Sequence, residues 1–185
     1  MKYRRIKRHI SPRIKALADA QKIAFAPLTF QAVNTMLKFG ILKFIDENPS
    51  TINEIMEHCK TSKYTTETLL EVGCICNVVT KTNEKYCTSL VGSAFLQNEM
   101  TKVNFNFVND VCYLGAFELA NSFEKAEPIG LQKFVGDYKT IYNALHRLPD
   151  NIKKSWFEFD HFYSDKCFEE VLKIICANSP AEIFD

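Results

Sequence analysis

Between Ala16 and Glu47 the apolar residues Leu17, Ile23, Phe25, Leu28, Phe30, Val33, Leu37, Phe39, Leu42, Phe44 and Ile45 recur at helical spacing, and the pattern is broken twice. Pro27 predicts a kink or a restart, since a proline inside a helix costs about 3 kcal/mol. Gly40 ends the second piece, and Asn48-Pro49 closes the segment. Thr51-x-x-Glu54 then reads as a capping box opening a short helix that carries Ile52, Ile55 and Met56. The next helix, Tyr64 to Cys76, turns Leu69, Leu70, Val72, Gly73 and Cys76 inward and Glu67 and Glu71 outward, with Asn77 suited to a left-handed cap.

After Asn77 the period changes. Val78, Val79 and Thr80 are β-branched, Thr82 to Lys85 is turn-like, and Tyr86-Cys87-Thr88 returns as a second strand. Helix, helix and small hairpin in that order form a winged-helix unit, after which Ser89 caps a short helix through Phe95 and Leu96. Lys102 to Phe123 reads as one long helix with apolar residues on nearly every side, which must be covered all round. Glu127 to Gly130 reads as a loop, and helices follow over Thr140–Leu148, Asn151–Tyr163 and Asp165–Ala177. Ser179-Pro180 punctuates the end, and AEIFD, up to Asp185, begins like a strand. The fold class expected is mainly α: a winged helix, an additional helical bundle, and the start of a strand.

Composition narrows the classes. The chain has 185 residues, 46% hydrophobic and 24% charged, which fits a globular protein and excludes disorder. Fifteen phenylalanines predict an aromatic core or a large aromatic interface. Seven irregularly spaced cysteines without a signal peptide fit a reducing cytoplasm better than a disulfide framework. No apolar run approaches the roughly 18 residues of a membrane span. Of the 23 basic residues, Lys2, Arg4, Arg5, Lys7, Arg8, Arg13 and Lys15 crowd the first fifteen positions, which hold no acid, so the body that follows is acidic. This basic arm, residues 1–15, either is solvated or touches an anionic surface.

The candidate chemistry is sparse. A winged helix invites a DNA-binding reading, but KYTTETLLEVGCIC has one lysine and two outward glutamates where phosphate contacts need clustered Lys or Arg. Cys74-x-Cys76, with Cys59, Cys87 and His58 nearby in sequence, is poorly spaced for zinc, and buried reduced thiols are expected, with no metal. Asp160 and His161 are adjacent and diverge by about 100° on a helix, so they do not face one substrate together. No glycine-rich phosphate loop, nucleophile elbow or paired-carboxylate motif is complete.

The stretches FAPLTFQAVNTMLKFGILKFI, then TINEIMEHCKTSKYTTETLLEVGCICNVVTKTNEKYCTSLVGSAFL, then YKTIYNALHRLPDNIKKSWFEFDHFYSDKCFEEVLKIICANSPAEIFD carry a resemblance. They resemble the amino-terminal half of the dimeric, winged-helix O-methyltransferases that use S-adenosylmethionine. The resemblance implies a winged-helix dimerisation domain over 16–100, a helical lid region over 101–178, and at 179–185 the stub of the first strand of a catalytic Rossmann-like domain. Asp185 would be that strand's acidic end, just before a cofactor-binding glycine turn. On this reading the chain is truncated before its catalytic domain, binds no S-adenosylmethionine alone and is inactive alone. The family's catalytic base, commonly a histidine, lies in that later half, so none of His9, His58, His146 or His161 takes the role and no catalytic residue is expected here.

The resemblance further implies that the helix matching SWFEFDHFYSD lines the acceptor pocket through Trp156, Phe159, Phe162 and Tyr163; family methionines there are phenylalanines in this chain. It implies a homodimer, for which Phe107, Val111, Leu114 and Phe117 on the long apolar helix are the expected interface. A small-molecule methyl acceptor, no specific nucleic acid and no membrane complete the expectation. The alternative is a self-contained winged-helix module that binds DNA or another protein.

Overall fold

The computed structural model describes residues 11–177 together with Ala181 and Glu182. Most of the basic arm and the last residues of AEIFD, Asp185 included, lie outside them. The chain divides into two compact units at Leu96–Gln97.

The first unit opens with α1 (Pro12–Lys38), which continues through Pro27 without the restart that was one of the two outcomes expected there. The turn around Pro27 is exposed, so water can serve the carbonyl that the proline cannot. Gly40 ends this stretch as anticipated, at φ 73°, and α2 (Ile41–Glu47) follows. The capping box is present: the Thr51 backbone N–H donates to Glu54 Oε2 at 2.7 Å and opens α3 (Ile52–Cys59). Ser62 caps α4 (Lys63–Ile75), and Asn77, at φ 59°, turns the chain into the hairpin.

β1 (Val79–Thr82) pairs antiparallel with β2 (Lys85–Thr88), and a bridge from Ser50 to Tyr86 ties the hairpin to the loop before α3. Met36, Ile41, Leu42, Ile45, Ile55 and Leu70 are fully buried in the core. Helix α4 presses on the hairpin at Gly73, where a Cβ would stand 2.8 Å from Val79 Cγ2. The Asp46 carboxylate accepts from Thr88 and, at 2.8 Å, from Ser93. One acid thereby links α2 to β2 and to α5 (Leu90–Gln97), whose first N–H groups are capped by Ser89.

The second unit departs further from the sequence reading. Lys102–Phe123 is not one helix. It comprises α6 (Glu99–Phe107), a π-helical segment (Val108–Cys112), α7 (Tyr113–Ala116) and α8 (Leu119–Lys125). The chain breaks at Glu118, whose carboxylate is buried against Lys133 and Asn121, a contact that no apolar periodicity reveals. The expected loop at Gly130 is also helix, α9 (Ile129–Val135), and it crosses α7 with backbone against backbone: a Cβ on Gly130 would lie 2.3 Å from the Gly115 carbonyl oxygen.

Thr140 caps α10 (Ile141–Ala144), which tightens into a 3-10 turn over Leu145–Arg147. The two final helices expected are a single one, α11 (Asp150–Ala177). Ser164 was the only polar punctuation between them, and its hydroxyl bonds back to the Asp160 carbonyl instead of capping a new start. Buried apolar residues are few here; among the described residues they are Ala144, Leu148 and Ile152.

Candidate functional site

The residues expected to line a pocket lie on two faces of α11. Trp156, Phe159 and Tyr163 share one face, and Phe107 of α6 fills it, stacked on Phe159 at 3.9 Å and tilted against Trp156 at 5.8 Å. Tyr142 of α10 meets Trp156 edge-on at 5.7 Å, and the Tyr163 hydroxyl donates to Asn104 at 2.8 Å. These rings pack on one another. The cluster holds α6, α10 and α11 together.

Phe162 stands apart from that stack, touching Tyr163 edge-on and lining a groove of about 560 Å³ between α6 and α11. Several of the groove's charges are met locally. Lys166 lies over the Phe162 ring at 3.2 Å, Lys154 pairs with Glu158 at 3.6 Å, and His161 pairs with Asp165 at 3.1 Å. His161 thus finds its carboxylate one turn on, at Asp165, and not at the adjacent Asp160.

A second groove, of about 290 Å³, was not anticipated. Val111, Leu119, Leu131, Phe134 and Ile141 wall it, and the crossing of Gly115 with Gly130 forms part of its lining. Its lining has no charged side chain. The sequence signal for it was two glycines fifteen positions apart inside apolar helices, which only a helix crossing explains. Cys112 also lines it, and burial pushes the Cys112 thiol up.

The four expected interface positions separate. Phe107 is occupied by Phe159 within the chain, and Val111 belongs to the second groove. Leu114 and Phe117 project into solvent, Phe117 at 91% exposure. In the first unit the exposed apolar residues Ile14, Leu17, Phe25 and Leu28 of α1 fall within an arc of about 80° at 100° per residue, a stripe interrupted by Gln21. Ile23 is exposed on the opposite side.

On α4, Lys63 lies near its own Glu67 at 3.8 Å, so the helix that would enter a DNA groove offers little free positive charge. Among the described residues no group of three His, Cys, Asp or Glu is placed to hold a metal ion, and no helix is long and apolar enough to cross a membrane. All seven cysteines are unpaired thiols.

Glu118 offers a pH handle. Hydrogen bonds from Lys133 and Asn121 hold its carboxyl below the usual range. A depressed carboxyl stabilises the fold above its unfolded-state value, and that contribution is lost as pH falls through the folded-state value. The melting temperature should therefore fall on acidification, and Glu118→Gln should lower it at neutral pH while flattening the acid limb. Thermal melts across the acid range check this; parallel curves for the two proteins would refute it.

Residues 18–86, from the exposed part of α1 to the middle of β2, match one family model. That model is the Dimerisation2-like domain. The matched stretch takes in α2, α3, α4 and β1 and, of the α1 stripe, Phe25 and Leu28. No curated protein sequence matches the chain.

Solved structures extend the likeness into the second unit. The apo S-adenosylmethionine-dependent methyltransferase SibL matches at a TM-score of 0.70 and 18% identity, covering 80% of this chain and 45% of SibL. The pyocyanin biosynthetic protein PhzM matches at 0.66 and 12%, covering 86% of this chain and 48% of PhzM. The N,N-8-amino-8-demethyl-D-riboflavin dimethyltransferase RosA from Streptomyces davawensis matches at 0.58 and 12%, covering 84% and 44%. At these identities the likeness is one of fold. The chain spans less than half the length of each.

Proposed function

We propose that this chain is the dimerisation and substrate-lid portion of a cytoplasmic S-adenosylmethionine-dependent methyltransferase, of the O-methyltransferase type, acting on a small molecule. One observation carries the reading: a Dimerisation2-like domain is followed by a helical unit, and the two together follow the fold of the SibL methyltransferase over 80% of this chain. In this reading the Dimerisation2-like domain pairs two copies through the α1 stripe, with Leu114 and Phe117 as further contacts in the second unit. The helical unit contributes to the acceptor pocket.

The methyl donor supplies a sulfonium methyl to an acceptor oxygen, and in this reading that chemistry is housed outside the residues described here. A nucleotide cradle needs backbone that approaches a ligand at a glycine-rich turn after a strand. Here Gly115 and Gly130 are taken up by a helix crossing, and Gly73 and Gly92 by contacts with the hairpin. Asp185 lies outside the described residues, and no transfer step is assigned to the chain.

The codons after Asp185 test the methyltransferase part of the proposal. A glycine-rich turn within the next few residues is expected. A stop codon, or a continuation without one, would overturn it.

A further inference from the structure

Eight of the first 22 residues are Lys or Arg, and Asp19 is the only acid among them. That acid is matched within α1, where it accepts from Lys15 at 2.7 Å and from Lys22 at 3.0 Å. From Ser11 to Leu28 every residue except Asp19 is exposed, so this end of α1 stands clear of the first unit's core.

The apolar residues of this end form a row. Ile14 and Leu17 share one side of α1 at 60% and 59% exposure, and Arg13 and Lys15 lie to either side of Ile14. In sequence the row continues backward through Ile10, Ile6 and Tyr3 at the same three- and four-residue spacing, among Lys2, Arg4, Arg5, Lys7 and Arg8. Forward it is interrupted at Gln21, and Phe25 and Leu28 beyond that residue are left to the contact between copies proposed above.

We propose that the N-terminal end of α1, with the basic arm before it, lies on the surface of an anionic phospholipid bilayer. The apolar row decides between polyanions. Phosphates of a nucleic acid would attract the same lysines and arginines but leave Ile14 and Leu17 in water. At the headgroup boundary of a bilayer an apolar row enters the acyl region while the flanking basic side chains reach the headgroups. Helix α4, where a duplex would need further positive charge, supplies little. No described helix is long and apolar enough to cross a membrane, so α1 rests on the bilayer and does not span it. This replaces the expectation of no membrane partner, and it stands whether or not the chain belongs to a methyltransferase.

Such binding is reversible and sensitive to salt. Each basic residue near an anionic surface strengthens it about fivefold, and the attraction reaches about 8 Å at 0.15 M salt but only about 3 Å at 1 M.

The test sediments the 185-residue chain with vesicles of phosphatidylcholine alone, and of phosphatidylcholine mixed with phosphatidylserine. At 0.15 M salt the chain is expected to bind the mixed vesicles and not the neutral ones, and to be released at 1 M. Arg13→Gln with Lys15→Gln should weaken binding at least tenfold. Ile14→Gln with Leu17→Gln should do the same at unchanged charge, whereas Ile23→Gln, on the opposite side of α1, should leave it unaltered. If the double Ile14, Leu17 variant melts early, Leu17→Gln alone replaces it, with at least threefold weakening expected. Equal binding to both vesicles, binding to neither, or full binding by the folded Ile14, Leu17 variant would each overturn the proposal. Transfer of the chain from mixed vesicles to duplex DNA added at equal phosphate would overturn it too, and would assign the arm to nucleic acid.

Discussion

Aspartate at Phe25 or Leu28 of α1 should convert a homodimer into monomers at micromolar concentration. Both positions are more than half exposed in the single chain and belong to the same stripe as Ile14 and Leu17. Monomers rarely leave apolar patches uncovered beyond a few hundred Å². A second copy is the cover proposed here, through a twofold contact that buries the same patch on each side and exceeds about 1,000 Å² in total. A carboxylate buried there without a partner costs several kcal/mol, enough to shift dissociation by two or more decades.

Ile23→Asp is the control. It lies on the opposite side of α1 and is more exposed still, so the dimer should survive it. Light scattering with size separation decides between outcomes: a wild-type monomer, or equal disruption by Ile23→Asp, would defeat the proposal. Phe117→Asp extends the same test to the second unit. Phe107→Asp would not be informative, because that ring stacks on Phe159 and its loss reports folding instead of assembly.

Leu70→Ala should cost about 2–5 kcal/mol of stability in the first unit. The side chain is fully buried on α4, and truncating a core leucine removes its transfer energy and leaves a cavity that close-packed neighbours only partly fill. Relaxation is limited on this face. One turn away, Gly73 is already pressed to within van der Waals limits of Val79, so α4 cannot move inward without a clash. Ile75→Ala on the same helix removes a side chain that is 84% exposed, and it should change stability by no more than about 0.5 kcal/mol. Urea unfolding followed by far-ultraviolet circular dichroism measures both; similar midpoints for the two variants would show the assigned core face to be wrong.

Legibility differed between the two units for a physical reason. In the first, local chemistry and tertiary placement agree. The Thr51–Glu54 box, the Gly40 and Asn77 left-handed turns and the β-branched hairpin are satisfied within a few residues, and each stands where sequence placed it. Pro27 was the exception, because proline's cost depends on whether water or protein surrounds the freed carbonyl.

In the second unit the deciding contacts are long-range. Glu118 meets Lys133, Gly115 meets Gly130, and Ser155 donates to Asp110 across 45 positions at 2.5 Å. The aromatic residues Trp156, Phe159 and Tyr163 were legible as a set on one helix. That their partners within the chain are Phe107, Tyr142 and Asn104 was not.

From sequence alone came the mainly helical class, the winged helix, the order of most elements and the resemblance to methyltransferase amino-terminal halves, because capping, turn geometry and hydrophobic period act over a few residues. Tertiary structure alone decided that Lys102–Phe123 is broken, that Gly130 is helical and that an uncharged groove lies beside its crossing with Gly115. An ion pair on a buried glutamate and a side-chain-free crossing take their energy from residues far apart in the chain, and periodicity holds no record of which distant residue will supply the other half.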